Sequence, residues 1–129
     1  MTSPELRAWL EQYRQAWETR DAGAAARLFA DDAAYHETPF GTPARGKDGV
    51  RAYWSAATEH QRQVKFSYEV LSVTGDSCIA HWRAEYTRVP SGVQAWLDGV
   101  FVLEFETGGL CRTLREWWHR TEAPESPVV

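Results

Sequence analysis

The run VQAWLDGVFVLEFE, residues Val93 to Glu106, decides how this chain folds. Its odd positions, Ala95, Leu97, Phe101, Leu103 and Phe105, are apolar, and its even positions, Trp96, Asp98, Val100 and Val102, are apolar except for one carboxylate. A period of two marks a strand, and apolar residues on both sides of it mark a sheet covered on two faces. The pattern predicts one face over a cavity and the convex face against a second copy of the chain, a homodimer. Residues 77–89 show the same mixture, with Cys78, Ala80, Trp82, Ala84 and Tyr86 opposing His81, Arg83 and Glu85.

Strand-like runs also cover residues 63–73 and 110–120, and the turn signals Gly75-Asp76, Pro90-Ser91-Gly92 and Gly108-Gly109 separate the four runs. Together they predict an antiparallel meander. On the last strand Leu110, Leu114, Glu116 and Trp118 fall on one side, and Cys111, Thr113, Trp117 and His119 on the other. Upstream the period changes. Ser3 is read as the N-cap of a helix over residues 4–19, with Pro4 in its first turn and Leu6, Trp9, Leu10, Tyr13 and Trp17 at helical spacing. Asp21 caps a second helix to about Ala30, with Ala25, Leu28 and Phe29 inward. Residues 33–37 read as a strand, with Tyr35 and Glu37 on one side, ended by Pro39, Gly41 and Pro43. Gly46 then opens a third helix carrying Val50, Tyr53, Trp54 and Ala57 on one face. Helices first and a sheet afterwards give an α+β domain over residues 1–122. The stretch from about Thr121 is rich in Pro, Glu and Ser, and residues 123–129 are expected to form a flexible tail.

A chain of 129 residues is one domain with a sizeable core. Cys78 and Cys111 lie far apart without neighbouring ligands, which speaks against a disulfide framework or a zinc site and for a reducing cytoplasm. No apolar stretch approaches the roughly 20 residues of a membrane span, and no signal peptide opens the chain. The net charge of −4, with its basic residues scattered, argues against a nucleic-acid partner. Seven Trp, five Tyr and five Phe either line an apolar cavity or fill a core, and composition leaves both open.

The segment RDAGAAARLFADDAAYHETPFGTPARGKDGVRAYW, followed by the meander that closes on DGVFVLEF and GGLCRTLREWWH, resembles the SnoaL-like branch of the nuclear transport factor 2-like superfamily. The likeness covers about residues 4–120. It implies a cone-shaped α+β barrel, with three N-terminal helices packed on a curved, mainly antiparallel sheet and a pocket between them. The superfamily includes isomerases, polyketide cyclases, dehydratases and proteins that only bind, so the fold alone does not select an activity. Ketosteroid isomerase, one of its members, uses an acidic base with an oxyanion hole built from a Tyr and a neutral Asp. By alignment with that enzyme these roles fall on Glu37, Tyr13 and Asp98, without metal or cofactor.

Each residue has a second reading. Glu37 is a general base, or a strand-end Glu paired with Arg45 or Arg51; Asp98 is a neutral donor, or a structural partner of a Trp or Tyr. Tyr13 is a substrate donor or a core phenol. Glu116 matches the strand on which SnoaL-like cyclases carry an acid-base residue, or else pairs with Arg112 or Arg83. Trp17, Tyr35, Tyr53, Trp54, Trp82 and Trp118 suit the binding of an apolar small molecule. The expected function is enolisation of an apolar ketone by an isomerase or cyclase. The alternatives are a non-catalytic ligand-binding domain and a dehydratase-like lyase; the lyase would need His81 in the pocket.

Overall fold

The computed structural model describes residues 1–123. Its elements run α1 (Ser3–Glu18), α2 (Ala22–Ala26), β1 (Phe29–His36), β2 (Ala44–Arg45), α3 (Gly46–Thr58), β3 (Gln61–Thr74), β4 (Ser77–Arg88), β5 (Gln94–Phe105) and β6 (Cys111–Ala123). They form one mixed sheet in the order β2-β1-β6-β5-β4-β3, with the helices against one of its faces. The long strands β3 to β6 form the expected antiparallel meander. Two features went unread in the sequence: β1 lies parallel beside β6, and the two-residue β2 caps its free edge.

The helix caps correct two readings. Thr2, not Ser3, caps α1: its hydroxyl accepts from the Glu5 amide at 3.2 Å and bonds the Glu5 carboxylate at 3.0 Å. The first of these bonds satisfies one of the amides that the first turn leaves bare. Asp21 does cap α2, accepting from the Ala24 amide at 2.9 Å, but that helix stops at Ala26 and does not reach Ala30. The Leu28 carbonyl is taken by Trp9 Nε1 at 3.0 Å and by the Cys111 amide at 2.9 Å, so tertiary bonds turn Phe29 into a strand residue. Gly46 starts α3 at φ 67°, where a Cβ would lie 2.8 Å from the Asp31 carbonyl. Only glycine fits so close to β1 in that conformation.

The strand register fixes which side chains face the helices. Across β4, β5 and β6 the inner face is built of rows: Ala80–Phe101–Glu116, Trp82–Gly99–Trp118, Ala84–Leu97–Arg120 and Tyr86–Ala95–Glu122. A β-bulge at the start of β6 breaks the simple alternation: Phe105 pairs with Cys111 but Glu104 with Thr113, leaving Arg112 over. As a result Cys111 and Leu114 are both buried, against the expectation that Cys111 faces away from Leu114 and Glu116. Both cysteines are free and buried.

Aromatic rings make the core. Tyr13 and Trp17 descend from α1 onto Phe66, Trp82 and Phe101 of the sheet, and Trp9 packs edge-on against Phe29 and Phe105. Trp82 stacks on Phe101 at 5.3 Å and on Phe66 at 6.0 Å. Offset stacks and edge contacts of this kind add about 0.5–1.5 kcal/mol per pair to area burial. The end of α1 is tied to the sheet by Glu18, whose carboxylate accepts from the Phe66 amide at 2.9 Å. The tail expected for residues 123–129 begins inside β6 at Ala123, and the rest of it lies outside the described residues.

Candidate functional site

Beyond the filled aromatic core the inner face opens into a cavity of about 280 Å³. Tyr13, Trp17, Tyr35, Glu37, Tyr53, Trp54, Trp82, Glu116 and Trp118 all line it. Nine of the ten residues singled out from the sequence therefore meet in one place. The tenth does not.

Asp98 faces the opposite side of the sheet, which corrects its placement in the pocket. It stands in a row with Arg83 and His119, with its side chain 52% exposed. His81 Nε2 meets its Oδ1 at 2.8 Å, and Arg83 Nε donates to its Oδ2 at 2.8 Å. The bond to His81, then that to Arg83, lowers the Asp98 pKa, so the group is an ionised surface partner and not a neutral donor. His81 in turn meets Glu69 at 3.1 Å. It stays outside the pocket, so the dehydratase reading loses His81, although another histidine, His60, lines the cavity.

Glu116 takes the place that Asp98 was expected to fill. It projects from the middle of β6, is 6% exposed, and belongs to the row Ala80–Phe101–Glu116. Neither arginine proposed as its partner reaches it. The bulge turns Arg112 outward to Glu104 at 3.6 Å, and Arg83 is held by Asp98. Among the described residues no cation pairs with Glu116. Burial, and then the charge of Glu37, push its pKa well above the usual glutamate range, which makes it a carboxylic acid with a proton to donate.

Glu37 enters from the other wall, one residue past the end of β1. Trp118 Nε1 donates to its backbone carbonyl at 3.0 Å, so a side chain of β6 pins the main chain that carries this carboxylate. Neither Arg45 nor Arg51 forms an ion pair with it among the described residues. Three phenols complete the polar lining. The Tyr13 and Tyr35 hydroxyls are 3.0 Å apart. For Tyr13, Tyr35 and Tyr53 burial raises the pKa first and the Glu116 carboxyl second, so all three keep their protons.

The remaining polar groups explain the shape. Trp17 Nε1 donates to Gln61 Oε1 at 2.8 Å, while Trp54 Nε1 and Trp82 Nε1 are buried without a partner among the described residues. Gly99 separates the indoles of Trp82 and Trp118 in their row. A Cβ there would lie 2.7 Å from Trp82 Cζ2 and 2.8 Å from both Trp118 Cβ and the Trp117 carbonyl. Glycine at this point is what lets two indoles flank the pocket floor. At the mouth stand His60, Tyr86, Arg88 and Arg120, none of them singled out from the sequence. The signal was present: Arg88 shares the parity of Trp82 on β4, and Arg120 that of Trp118 on β6.

A larger and more open depression, about 570 Å³, lies on the outer side around Trp96, Asp98 and His119. Of its two carboxylates, Asp98 is held by His81 and Arg83, and Glu85 lies 3.7 Å from Lys65. The smaller pocket instead holds Glu116, the buried carboxyl that no cation pairs with among the described residues. Among the described residues no group of three His, Cys, Asp or Glu could hold a metal ion, and no helix is long and apolar enough to cross a membrane.

The SnoaL-like domain model matches residues 10–113. The chain belongs to the SnoaL-like family. Its fold is similar to that of a Δ5-3-ketosteroid isomerase from Mycobacterium sp. (TM-score 0.77, 22% identity, covering 92% of this chain and 98% of that one). It also resembles a computationally designed 17-OHP binder (TM-score 0.75, 21% identity, 92% and 96% covered). An epoxide hydrolase/cyclase-like enzyme of pyran ring formation in polyether salinomycin gives a TM-score of 0.75 at 17% identity, with 88% and 89% covered. Likeness at these identities speaks for the fold alone. No curated protein sequence matches this SnoaL-like chain.

Proposed function

We propose that this SnoaL-like domain is a cofactor-free enzyme that enolises an apolar ketone, leading to double-bond isomerisation or aldol-type ring closure. One observation carries the reading: Glu116 is a buried carboxyl with no cation, facing a second carboxyl, Glu37, in a pocket walled by phenols and indoles. An unpaired buried acid is costly to keep and is most often found where proton chemistry is done. The cone-shaped closure implied by the family resemblance belongs to this reading.

In the proposed step the Glu37 carboxylate removes the proton next to the ketone, and the C–H electron pair moves onto the carbonyl oxygen. The developing oxyanion is met by donors fixed in advance, the neutral Glu116 carboxyl and a phenol. Tyr13 and Tyr35 share one hydrogen bond, which uses one of their two protons and leaves the other for substrate. Glu37 then returns its proton at the far carbon in an isomerisation. In a ring closure the enolate carbon attacks a second carbonyl, whose oxygen takes a proton from Glu116, and the proton held by Glu37 passes through solvent to restore Glu116. The logic parallels ketosteroid isomerase, which also uses a carboxyl base with a Tyr and a neutral carboxylic acid as donors. Here the neutral acid comes from β6 instead of β5.

The test follows deuterium incorporation in D2O, by NMR, at the carbon next to the carbonyl of a β,γ-unsaturated cyclic ketone. Exchange with the parent that vanishes in Glu37→Gln supports the reading. Binding without exchange in either protein overturns it and favours a domain that only holds its ligand. The proposed assembly is a homodimer through the outer face, where Ile79, Trp96 and Trp117 are each more than a third exposed. Sedimentation of the parent as a monomer would remove that part.

A further inference from the structure

The rim of the pocket carries a second kind of chemistry, which enolisation does not use. Arg88, the last residue of β4, and Arg120, on β6, both line the cavity mouth beside His60. Among the described residues a single carboxylate serves both arginines. Arg88 meets Glu122 Oε1 through Nε at 2.8 Å and through a terminal nitrogen at 2.7 Å, and Arg120 Nε lies 3.5 Å from that same oxygen. Two guanidinium groups offer ten N–H donors in fixed forks, so one carboxylate oxygen leaves most of them open. Glu122 itself is not part of the cavity lining. The mouth is therefore cationic where it meets the pocket.

The strand register gives the distance to the reacting end. Arg120 and Glu116 share one face of β6 and stand four residues apart, roughly 13 Å at the rise of an extended strand. Between them lies the row Trp82–Gly99–Trp118, a stretch of wall made of two indoles and a glycine. A molecule spanning the pocket would meet proton donors at one end, flat aromatic surface in the middle and guanidinium groups at the other.

We infer that the rim is an anion subsite and that the ligand is an elongated apolar keto acid, its ketone at Glu37 and Glu116 and its carboxylate on Arg88 and Arg120. This deepens the function proposed above and rests on it for the ketone end. The carboxylate would displace Glu122 from part of the guanidinium surface, and a bidentate match between planar fork and planar anion favours that exchange. Both arginines are at least a third exposed and stay hydrated, so seating an anion there leaves no buried charge uncompensated.

The test compares two probes of nearly equal size, 2-tetralone bearing a propionate chain on its far ring and the methyl ester of that acid. Binding is read from tryptophan fluorescence of the full chain. In the parent the acid binds about fivefold more tightly than the ester, and the preference fades at high salt. Arg120→Gln and Arg88→Gln each remove it by weakening the acid far more than the ester, and Glu122→Gln, which removes the competing carboxylate, strengthens it. Circular dichroism checks that each variant is folded. Equal affinity of the parent for acid and ester overturns the anion subsite and leaves the ketone pocket standing. A preference that survives in both arginine variants overturns the assignment to these residues. Binding of neither probe overturns the ketone pocket and the subsite with it.

Discussion

The two faces of the sheet treat a carboxyl group in opposite ways. On the outer face Asp98 lies in reach of His81 and Arg83, and its pKa falls; on the inner face Glu116 has aromatic neighbours, no cation and one like charge, and its pKa climbs. Both residues lie on central strands, three rows apart in the register. Position in the sheet therefore does not determine their chemistry. What differs is the company: charged partners hold a carboxylate in its ionised form, while a dry, unpaired setting holds it as an acid.

Breaking the contrast at the chemistry should give the largest effect. Deuterium exchange of the ketone should fall about a hundredfold or more in Glu37→Gln and in Glu116→Gln, and by less than about twofold in Asp98→Asn, if proton work belongs to the inner face. An equal loss in Asp98→Asn would sink the division between the faces. Next in size is the spacer between the indoles. Gly99→Ala drives a methyl against Trp82, Trp118 and the backbone, and unfolding in urea should show a loss of about 1–3 kcal/mol.

The pH dependence sharpens the same comparison through its sign. Glu116 holds its proton more tightly folded than unfolded, so its effect on stability is most favourable below the ordinary glutamate range and declines as pH rises toward the folded-state value. Asp98 is the reverse: its contribution is present above the ordinary aspartate range and is lost as pH falls through the folded value. At neutral pH the melting temperature should rise in Glu116→Gln and drop slightly in Asp98→Asn. His81, whose pKa is raised chiefly by its bond to Asp98, adds stability below the ordinary histidine value that fades as pH rises. The smallest effect expected is in His81→Asn, which should flatten a shallow slope between mildly acidic and neutral pH.

Much of this was legible in the chain. The meander, the first and third helices and the parity that groups Trp82, Glu116 and Trp118 all follow from period and turn residues. Parity was informative even where the alignment misled: Asp98 alternates with Leu97 and Phe101, which are inward, so the strand's own pattern put it outside. The family match drew it in because the Asp-Gly pair looked like a motif. What stayed hidden depends on contacts distant in sequence. No local signal shows that a bulge at Arg112 shifts the phase of β6, that Leu28 ends a helix by serving Trp9 and Cys111, or that β1 runs parallel to β6. The arginines of the rim were overlooked because charged residues near strand ends read as solvent-facing.

The bond from Trp118 to the Glu37 carbonyl has a consequence for how such a pocket can change over evolutionary time. Both carboxyls take their positions from one strand: Glu116 is built into β6, and Glu37 is hung from it by an indole two residues further along. Residues 38–43, which leave Glu37 and return to β2, take no part in that spacing. This loop is thus free to lengthen, shorten or change composition while the two carboxyls keep their separation, so new substrates can be tried at the pocket edge without reinventing the proton chemistry beneath it.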